Sequence, residues 1–424
     1  MAAIAITPVP DTEHELPLYT PPHRIDQLGV RESLVHELFL KHAFQQGTCS
    51  IRQMAGTLHL TIELMEQVFH HMRKQQLVEV KGMLGEDYVF HLSQGGKNAA
   101  LERMSVSRYC GPVPVPLCQY EQAVRAQVGK NIKINQTVIR KAYADLTLED
   151  DLLMRLGPAL VSQGSMFLYG PSGTGKSSLA ERMLRIFDQA VAVPYAVEVD
   201  GQVIALHDPA VHKNVAPPVK EHDPRWAFCA RPCIVVGGEL VPEMLELQRD
   251  SDTGSYMAPL HMKANNGVFV IDDFGRQMIS PRDLLNRWIV PLDRRMDFLA
   301  LSNGVKFPIP FEVFVVFSTN LAPNELADEA FLRRIPNKIL VDAVSERVFQ
   351  EILAKKLDSS GWSSEEGATD YMSAVCKSKG GDLRPCYPRD FFRIIESIAI
   401  FEEREPSLTG VDIDRAADLY FGAM

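Results

Sequence analysis

The sequence predicts an α/β protein with a parallel sheet, preceded by a small domain of helices and a β-hairpin and followed by a helical domain. Strands and helices alternate from residue 165 to about residue 341, which is the pattern of a parallel sheet. A glycine-rich loop lies between an apolar strand and a helix, and another apolar strand ends in Asp272 and Asp273. From Ser345 onward the apolar residues recur at helical spacing.

Length, charge and cysteine content limit the class of protein. The 424 residues suggest two or three folded units, and the net charge of -10 argues against a protein that mainly coats nucleic acid. No apolar stretch has the length needed to cross a bilayer, so we expect no membrane insertion. Residues 1–22 lack the pattern of a secretory signal, and seven scattered cysteines do not indicate a disulfide framework. We therefore expect a cytoplasmic protein.

The glycine-rich loop matches the pattern G-x-x-x-x-G-K-[ST] at every defined position, and it follows the strand Met166–Tyr169 as the motif requires. Glycines allow such a loop to curl so that its backbone amides, and the start of the next helix, point at phosphates. Lys176 would reach the phosphates as a point charge, and Ser177 would offer its hydroxyl to Mg²⁺. The predicted phosphate-binding residues are Gly170, Pro171, Ser172, Gly173, Thr174, Gly175, Lys176, Ser177 and Ser178.

The strand Val268–Ile271 ends in two carboxylates, at the edge where a parallel sheet presents functional residues. Asp272 would hold Mg²⁺ through water. Asp273 would orient and polarise an attacking water.

In these motifs the chain resembles the AAA+ ATPases, from about Ala142 to the C-terminus. The resemblance implies a P-loop AAA+ parallel sheet with a helical lid, ATP and Mg²⁺ as ligands, and a homo-oligomer, most typically a hexameric ring. Family members usually have Glu where this chain has Asp273. Because the shorter carboxylate sits further from the water, we expect slow hydrolysis but not its absence.

The same resemblance assigns further residues in family order. Asn320, after the strand-like run Phe314–Phe317, matches a polar sensor that helps hold the attacking water. The stretch 327–335 is similar to the one that supplies arginine fingers to a neighbouring subunit, and the sequence leaves open whether Arg333 or Arg334 reaches the phosphate. Arg389 matches a sensor arginine of the lid, and we favour it over Arg384 because Pro388 suits a helix start.

Two segments are candidates for gripping a partner. Tyr256 and Met257 form an aromatic-aliphatic pair on a loop with flanking glycine and proline, although Tyr256 could equally pack against the sheet. The predicted hairpin 194–207, with its turn at Asp200 and Gly201, is the other candidate.

The front of the chain resembles a winged helix, with helices predicted at 33–45, 51–56 and 61–74 and strands at 77–81 and 88–92. Winged helices most often place their third helix in the DNA major groove. Here that helix carries Glu63 and Glu66 in its leading half, and Arg73 and Lys74 only at its end. We therefore favour protein docking over DNA binding and keep both open.

Five segments follow from these patterns. They are a flexible tail (1–25), a winged-helix-like domain (26–108), a proline-rich linker and helix (109–135), an AAA+ α/β nucleotide-binding domain with an inserted hairpin (136–342), and a helical lid domain (343–424). Within the third, the stretch 109–120 reads as a linker because of its prolines. The linker 111–117 and the hairpin also resemble a narrower bacterial group, described as predicted ATPases with chaperone activity associated with Flp pilus assembly.

The resulting hypothesis is an oligomeric ATPase that couples Mg-ATP hydrolysis to remodelling or assembly of a protein partner, in a chaperone-like role related to a pilus or secretion system. One alternative is an ATP-switched DNA-binding protein that uses the winged helix. A third is a nucleotide-binding scaffold with negligible hydrolysis. The sequence does not indicate the client.

Overall fold

The computed structural model describes residues 20–128, 134–187, 189–218, 221–326 and 328–422. Its first domain packs helices against a three-stranded antiparallel sheet of order β1-β3-β2. Phe39, Phe69 and Phe90 are fully buried at the centre of that core. The elements are α1 (Glu32–Gln46), β1 (Thr48–Ser50), α2 (Ile51–Leu58), α3 (Ile62–Lys74), β2 (Val78–Leu84), β3 (Asp87–Leu92) and α4 (Gln94–Val106).

Side-chain hydroxyls cap the N-termini of three of these helices. Ser50, Thr61 and Ser93 accept hydrogen bonds from the backbone amides of the first turns of α2, α3 and α4. Each hydroxyl satisfies an amide that has no partner inside its helix. The third helix therefore begins where Thr61 predicts.

The end of the predicted flexible tail is packed. The side-chain amide of Gln67 on α3 donates to the carbonyl oxygen of His23 at 2.8 Å, and the His23 ring lies 2.9 Å from the carboxylate of Glu63. Residues Ile25–Leu28 form a 3₁₀ turn. The prediction of flexibility is therefore wrong for residues 20–25, whereas residues 1–19 lie outside the described part of the chain.

The predicted linker 109–120 is also packed. Tyr109 and Val113 belong to the core of the first domain. The elements that follow are β4 (Val115–Pro116), α5 (Leu117–Ala126), α6 (Gln136–Ala142) and α7 (Asp150–Ser162). The prolines are compatible with this structure because β4 is an edge strand and because Pro116 precedes the helix α5. Burial of the apolar residues between the prolines overrides the expectation of a free linker.

The central sheet has the order β10-β13-β16-β5-β17, and all its strands are parallel. Apolar clusters cover both of its faces, which explains the continuous apolar runs of the strands. From β5 to β17 the elements are β5 (Met166–Tyr169), α8 (Lys176–Arg182), β6 (Val191–Pro194), β7 (Ala196–Val199), β8 (Gln202–Ala205), β9 (Trp226–Cys229), β10 (Cys233–Val236), β11 (Gln248–Arg249), β12 (Tyr256–Met257), α9 (Leu260–Lys263), β13 (Val268–Ile271), α10 (Pro281–Arg294), β14 (Met296–Ala300), β15 (Lys306–Pro310), β16 (Phe314–Thr319), α11 (Pro323–Leu326), α12 (Glu329–Leu332) and β17 (Asn337–Leu340).

The predicted hairpin is part of a second sheet, of order β11-β12-β8-β7-β4. Its turn residues Asp200 and Gly201 both have positive φ, 49° and 76°, which suits the tight turn of a two-residue hairpin. Ala196 and Val203 are buried in the core of the first domain. The hairpin therefore joins the first domain to the α/β domain and does not project to grip a partner.

The C-terminal helices pack around a core of their own that includes Phe349, Phe391 and Ile395. The elements are α13 (Glu346–Ser360), β18 (Ser363–Ser364), α14 (Ala368–Gly380), α15 (Cys386–Phe401), β19 (Ser407–Leu408) and α16 (Gly410–Phe421). Across the described ranges, no helix combines the length and apolarity that a bilayer crossing requires.

A buried ion pair connects the first domain to the second sheet. The guanidinium of Arg225 is 1% exposed and donates to both carboxylate oxygens of Asp223. It also donates to the carbonyl oxygens of Leu28 at 2.9 Å and Pro114 at 3.2 Å. One side chain thus satisfies polar atoms from three separate segments.

We expect Arg225→Ala to lower the free energy of unfolding by about 3–5 kcal/mol, because it leaves a buried carboxylate without its partner. Urea denaturation measures this change, and limited proteolysis detects loosening of the first domain. The control is Arg140→Ala, which removes an exposed pair with Asp150 and should change stability by less than about 1 kcal/mol. Equal effects of the two substitutions would contradict the coupling role of Arg225.

Candidate functional site

The glycine-rich loop connects β5 to α8 and needs glycine at defined positions. Gly170, Gly173 and Gly175 have φ of 140°, 80° and 93°. A Cβ on Gly170 would lie 2.3 Å from the carbonyl oxygen of Val341, which follows β17. The first glycine is therefore required by its conformation and by its close contact with the neighbouring strand's backbone.

Lys176 is the first residue of α8, and its side chain folds back into the loop. Its ammonium donates to the carbonyl oxygens of Gly170 at 2.9 Å and Pro171 at 2.7 Å. Burial lowers the pKa of Lys176, while the carboxylates of Asp272 and Asp273 act in the opposite direction. A positive charge held in a half-buried loop is a favourable site for an anionic oxygen.

The carboxylate of Asp272, immediately after β13, is held by hydroxyl groups from two other elements. Ser177 of α8 donates to one of its oxygens at 2.6 Å, and Ser318 of β16 donates to the other at 2.7 Å. The hydroxyl of Ser177 and the carboxylate of Asp272 are the hard oxygen ligands that Mg²⁺ prefers. The residues present therefore fit a magnesium ion beside the glycine-rich loop, which we also call the phosphate loop.

The motifs read from the sequence did not single out Ser318. A signal was available, because Ser318 lies two residues before Asn320 and alternate residues of a strand share a face. Asn320 itself lies just past the end of β16 and is exposed. It does not line the cavity that the loop and the two carboxylates share.

Asp273 has φ of 49°, a left-handed conformation that Asp tolerates better than most residues. The side-chain amide of Gln277 donates to the carbonyl oxygens of Asp272 at 2.8 Å and Asp273 at 3.2 Å. The amide of Phe274 donates to the carbonyl oxygen of Ser318. These bonds hold the turn so that the exposed carboxylate of Asp273 lies at the cavity.

One cavity of about 850 Å³ brings most of the predicted residues together. Its lining includes the loop from Ser172 to Ser178, both carboxylates and the segment 145–149. The lid contributes Ile352, Lys355 and Arg389. The cavity thus lies between the α/β domain and the lid, and its wall combines charged groups with the apolar side chains of Leu146, Leu148 and Ile352.

A hydrogen bond joins the cavity wall to the start of the lid. Glu149 accepts from the backbone amide of Ser345 at 2.9 Å, and its carboxylate lies 3.6 Å from the guanidinium of Arg347. The bonds from Ser345 hold the pKa of Glu149 below its usual value. A displacement of the lid at Ser345 would therefore move or break the hydrogen bond to Glu149 in the cavity wall.

Both lid arginines lie near the loop. Arg389 lines the cavity in the first turn of α15, which begins at Cys386. Arg384 donates to the carbonyl oxygen of Ser172 at 3.1 Å and is oriented by Asp382. The sequence favoured Arg389 over Arg384, whereas the structure places Arg384 against the glycine-rich loop and leaves Arg389 largely exposed at the cavity and paired with Asp390.

The predicted finger arginines do not line the cavity of their own chain. Arg334 pairs with Asp293 of α10 at 2.7 Å. Arg333, at the end of α12, is exposed. Ala327, the first residue of this predicted stretch, lies outside the described residues.

Tyr256 does not form a gripping loop. Its ring is 3% exposed in the core of the second sheet, and its hydroxyl accepts a hydrogen bond from the backbone amide of Ser302 at 2.9 Å. Met257 is the exposed member of the pair. The packing alternative is therefore the correct one for Tyr256.

The order of the parallel strands and the loop after β5 define an α/β P-loop fold. The model of a domain of unknown function, DUF8689, matches residues 345–419, which contain most of the lid. No curated protein matches the chain.

Two solved structures are similar to this chain at a low level. NtrX from Brucella abortus in complex with ATP is 13% identical, with a TM-score of 0.40 over 62% of this chain and 54% of that chain. The RuvB Holliday junction branch migration motor from Thermotoga maritima is 16% identical, with a TM-score of 0.36 over 68% of this chain and 70% of that chain. The match thus spans about half the length of the NtrX chain. Similarity this low carries no argument about function, which must rest on the geometry of the site.

We expect Gly170→Ala to destabilise the protein more than Gly175→Ala does. Both substitutions impose a positive φ on alanine, which costs about 1–2 kcal/mol. Only the Cβ at position 170 meets a backbone oxygen, whereas the space at Gly175 is open within 4 Å, and overpacking adds about 1–3 kcal/mol. Thermal unfolding of the two variants measures the difference. Equal melting temperatures would show that the contact with Val341 is unimportant.

Proposed function

We propose that this protein is an oligomeric AAA+ ATPase that couples Mg-ATP hydrolysis to remodelling or assembly of a protein partner. The observation that carries the proposal is the meeting of Lys176, Ser177, Asp272 and Asp273 at one cavity between an α/β P-loop domain and a helical lid. These four residues come from two motifs distant in the sequence. Their types are those that phosphoryl transfer from a nucleotide requires.

Each group has a role in binding ATP. The loop amides and the ammonium of Lys176 bind the phosphates, and the apolar part of the cavity between segment 145–149 and the lid accepts the base. Ser177 and Asp272 would hold Mg²⁺, with Ser318 orienting the carboxylate. The ion supplies neutralisation of charge on the terminal phosphates. Arg389 contributes from the lid, and Arg384 stabilises the contact between lid and loop.

Asp273 is the residue that acts on water. Its exposed carboxylate at the cavity can orient a water molecule and accept its proton. Because Asp is one methylene shorter than Glu, the water is less closely held and turnover is slow. The sequence resemblance assigns Asn320 to holding this water in the assembled enzyme, although its side chain does not line the cavity of the single chain.

The arginine finger is Arg333. Arg334 is tied to Asp293 of the same chain, so its guanidinium is already used within the subunit. Arg333 lies exposed at the end of α12 and outside the cavity of its own chain. The catalytic site is therefore completed by a neighbouring copy in a closed ring, for which we propose six subunits.

The first domain resembles a winged helix and serves as a protein-docking domain. The leading half of α3 carries exposed Glu63 and Glu66 and is contacted by residue His23. The hairpin β2–β3 exposes the apolar side chains of Met83 and Leu84, at 58% and 76%. The acidic, partly covered leading half of α3 and the exposed apolar side chains of the hairpin favour contact with protein over contact with DNA. A client in a pilus or secretion system accords with the sequence resemblance.

We expect Arg333→Ala to lower the ATPase rate by about 10³-fold or more, since the finger neutralises charge on the γ-phosphate. Asp273→Asn should also be nearly inactive. Mixing the two variants should restore up to about one quarter of the wild-type rate, because one in four interfaces then combines an intact Asp273 with an intact neighbouring Arg333. Steady-state phosphate release measures each rate.

Arg334→Ala is the matched control for this experiment and should retain most of the activity. An Arg334→Ala variant that is inactive beside an active Arg333→Ala variant would show that the two arginines had been assigned the wrong way round. A wild-type protein that hydrolyses ATP at full rate as a monomer would contradict the proposal of a shared site.

We expect Ser318→Ala to raise the Mg²⁺ concentration needed for half-maximal ATPase activity by about 10- to 100-fold, because a hydrogen bond to a carboxylate contributes about 1.5–3 kcal/mol. Asn320→Ala should instead lower the maximal rate without changing the Mg²⁺ requirement. Titration of Mg²⁺ at saturating ATP separates the two effects. An unchanged Mg²⁺ requirement in Ser318→Ala would contradict its role in orienting Asp272.

A further inference from the structure

A cluster of metal-ligating side chains lies between α1 and α3 of the first domain, remote in the sequence from every residue of the nucleotide cavity. Glu32 and His36 stand one turn apart on α1, so both side chains leave the same face of the helix. His71 reaches the same point from the last turn of α3. One potential ligand atom from each of the three lies within 4.8 Å of the other two.

The distances are close to those of a coordination shell. A tetrahedral ion with ligands at about 2.1 Å separates neighbouring ligand atoms by about 3.4 Å. The Nε2 atom of His36 lies 3.5 Å from a carboxylate oxygen of Glu32, which already matches that spacing. The imidazole rings of His36 and His71 are stacked, with centroids 4.4 Å apart and planes inclined by 16°. A rotation of the His71 ring out of this stack would complete the triangle of ligands.

The environment supports ligation. Nε2 of His36 is buried and makes no hydrogen bond within the described residues, and the carboxylate oxygen of Glu32, 3.5 Å away, is a group with which it could share an ion. The side-chain amide nitrogen of Gln75 lies 2.8 Å from the Nε2 atom of His71, and with the amide turned its oxygen would instead accept the Nε2 proton of a ring that ligates through Nδ1.

We propose that Glu32, His36 and His71 bind a divalent transition-metal ion of the Zn²⁺ type, which clamps α1 to α3. Two imidazoles and one carboxylate favour Zn²⁺, Co²⁺ or Ni²⁺ over the Mg²⁺ of the nucleotide site. Three protein ligands leave a fourth position for water or for a group of a docked partner. The ion stabilises the first domain without taking part in ATP hydrolysis.

The test uses the untagged full-length protein with Co²⁺ as the probe and no nucleotide. The protein used in the test carries Asp272→Asn, because this substitution weakens Co²⁺ binding at the proposed Mg²⁺ site beside the phosphate loop. We expect about one equivalent of Co²⁺ to bind with the visible absorption of a four-coordinate ion, and Zn²⁺ to displace it. Thermal unfolding should shift upward with added Zn²⁺, since the ion binds only the folded domain.

The variants assign the ligands. His36→Ala and His71→Ala should each weaken Co²⁺ binding by at least about 100-fold, more than the loss of an outer-shell partner. The matched control is His70→Ala, which removes the exposed neighbouring histidine of the same helix and should bind as the parent does. Glu32→Gln at the exposed helix start keeps the shape of the side chain, so a loss of affinity there reports ligation and not misfolding.

Three results would overturn the proposal. The first is a parent protein that shows no visible Co²⁺ absorption. The second is unchanged Co²⁺ affinity in the His36→Ala variant and in the Glu32→Gln variant. The third is a loss of Co²⁺ affinity in His70→Ala as large as that in His71→Ala.

Discussion

The hydrogen bonds that hold the carboxylate of Asp272 are the interaction on which the site depends. Ser177 belongs to the helix after the phosphate loop, Ser318 to a different strand, and Asp272 follows a third. These elements are neighbours only because β13, β16 and β5 lie side by side in parallel. A shift of one strand by a single residue would reverse its side chains and separate the hydroxyl groups from the carboxylate. The apolar clusters on both faces of the sheet hold the register, so the core of the domain sets the geometry of the site.

The first domain is connected to this sheet by polar groups as well as by apolar packing. The core of the first domain includes Ala196 and Val203 of the second sheet, and Arg225 satisfies carbonyl oxygens of Leu28 and Pro114. A buried guanidinium with several acceptors is costly to disturb, because each acceptor would lose its partner. These contacts attach the first domain to the second sheet. Four of its strands, β7, β8, β11 and β12, follow the glycine-rich loop in sequence, and β12 leads to β13 through α9.

The two finger candidates differ in their tertiary contacts, which the sequence does not reveal. Arg333 and Arg334 are adjacent and chemically identical, so no local pattern separates them. They differ because Asp293 of α10, which is distant in the sequence, forms an ion pair with Arg334. The same logic applies to Glu149, which joins the cavity wall to the lid through the amide of Ser345. Both contacts join residues that are distant in the sequence, so neither can be predicted from the residues next to Arg334 or Glu149.

The sequence by itself determined the features that depend on local chemistry. The phosphate loop, the strand that ends in Asp272 and Asp273 and the cap at Thr61 were predictable because turn conformation, helix capping and apolar periodicity act over a few residues. Tertiary structure alone decided the rest. It packed the segment 109–120 and residues 20–25, built the hairpin 194–207 into a sheet, and buried Tyr256. It also brought the hydroxyl of Ser318 within hydrogen-bond distance of the carboxylate of Asp272, and it brought the side chains of Glu32, His36 and His71 together. These outcomes depend on burial and pairing between segments distant in the chain, which no local pattern of residues records.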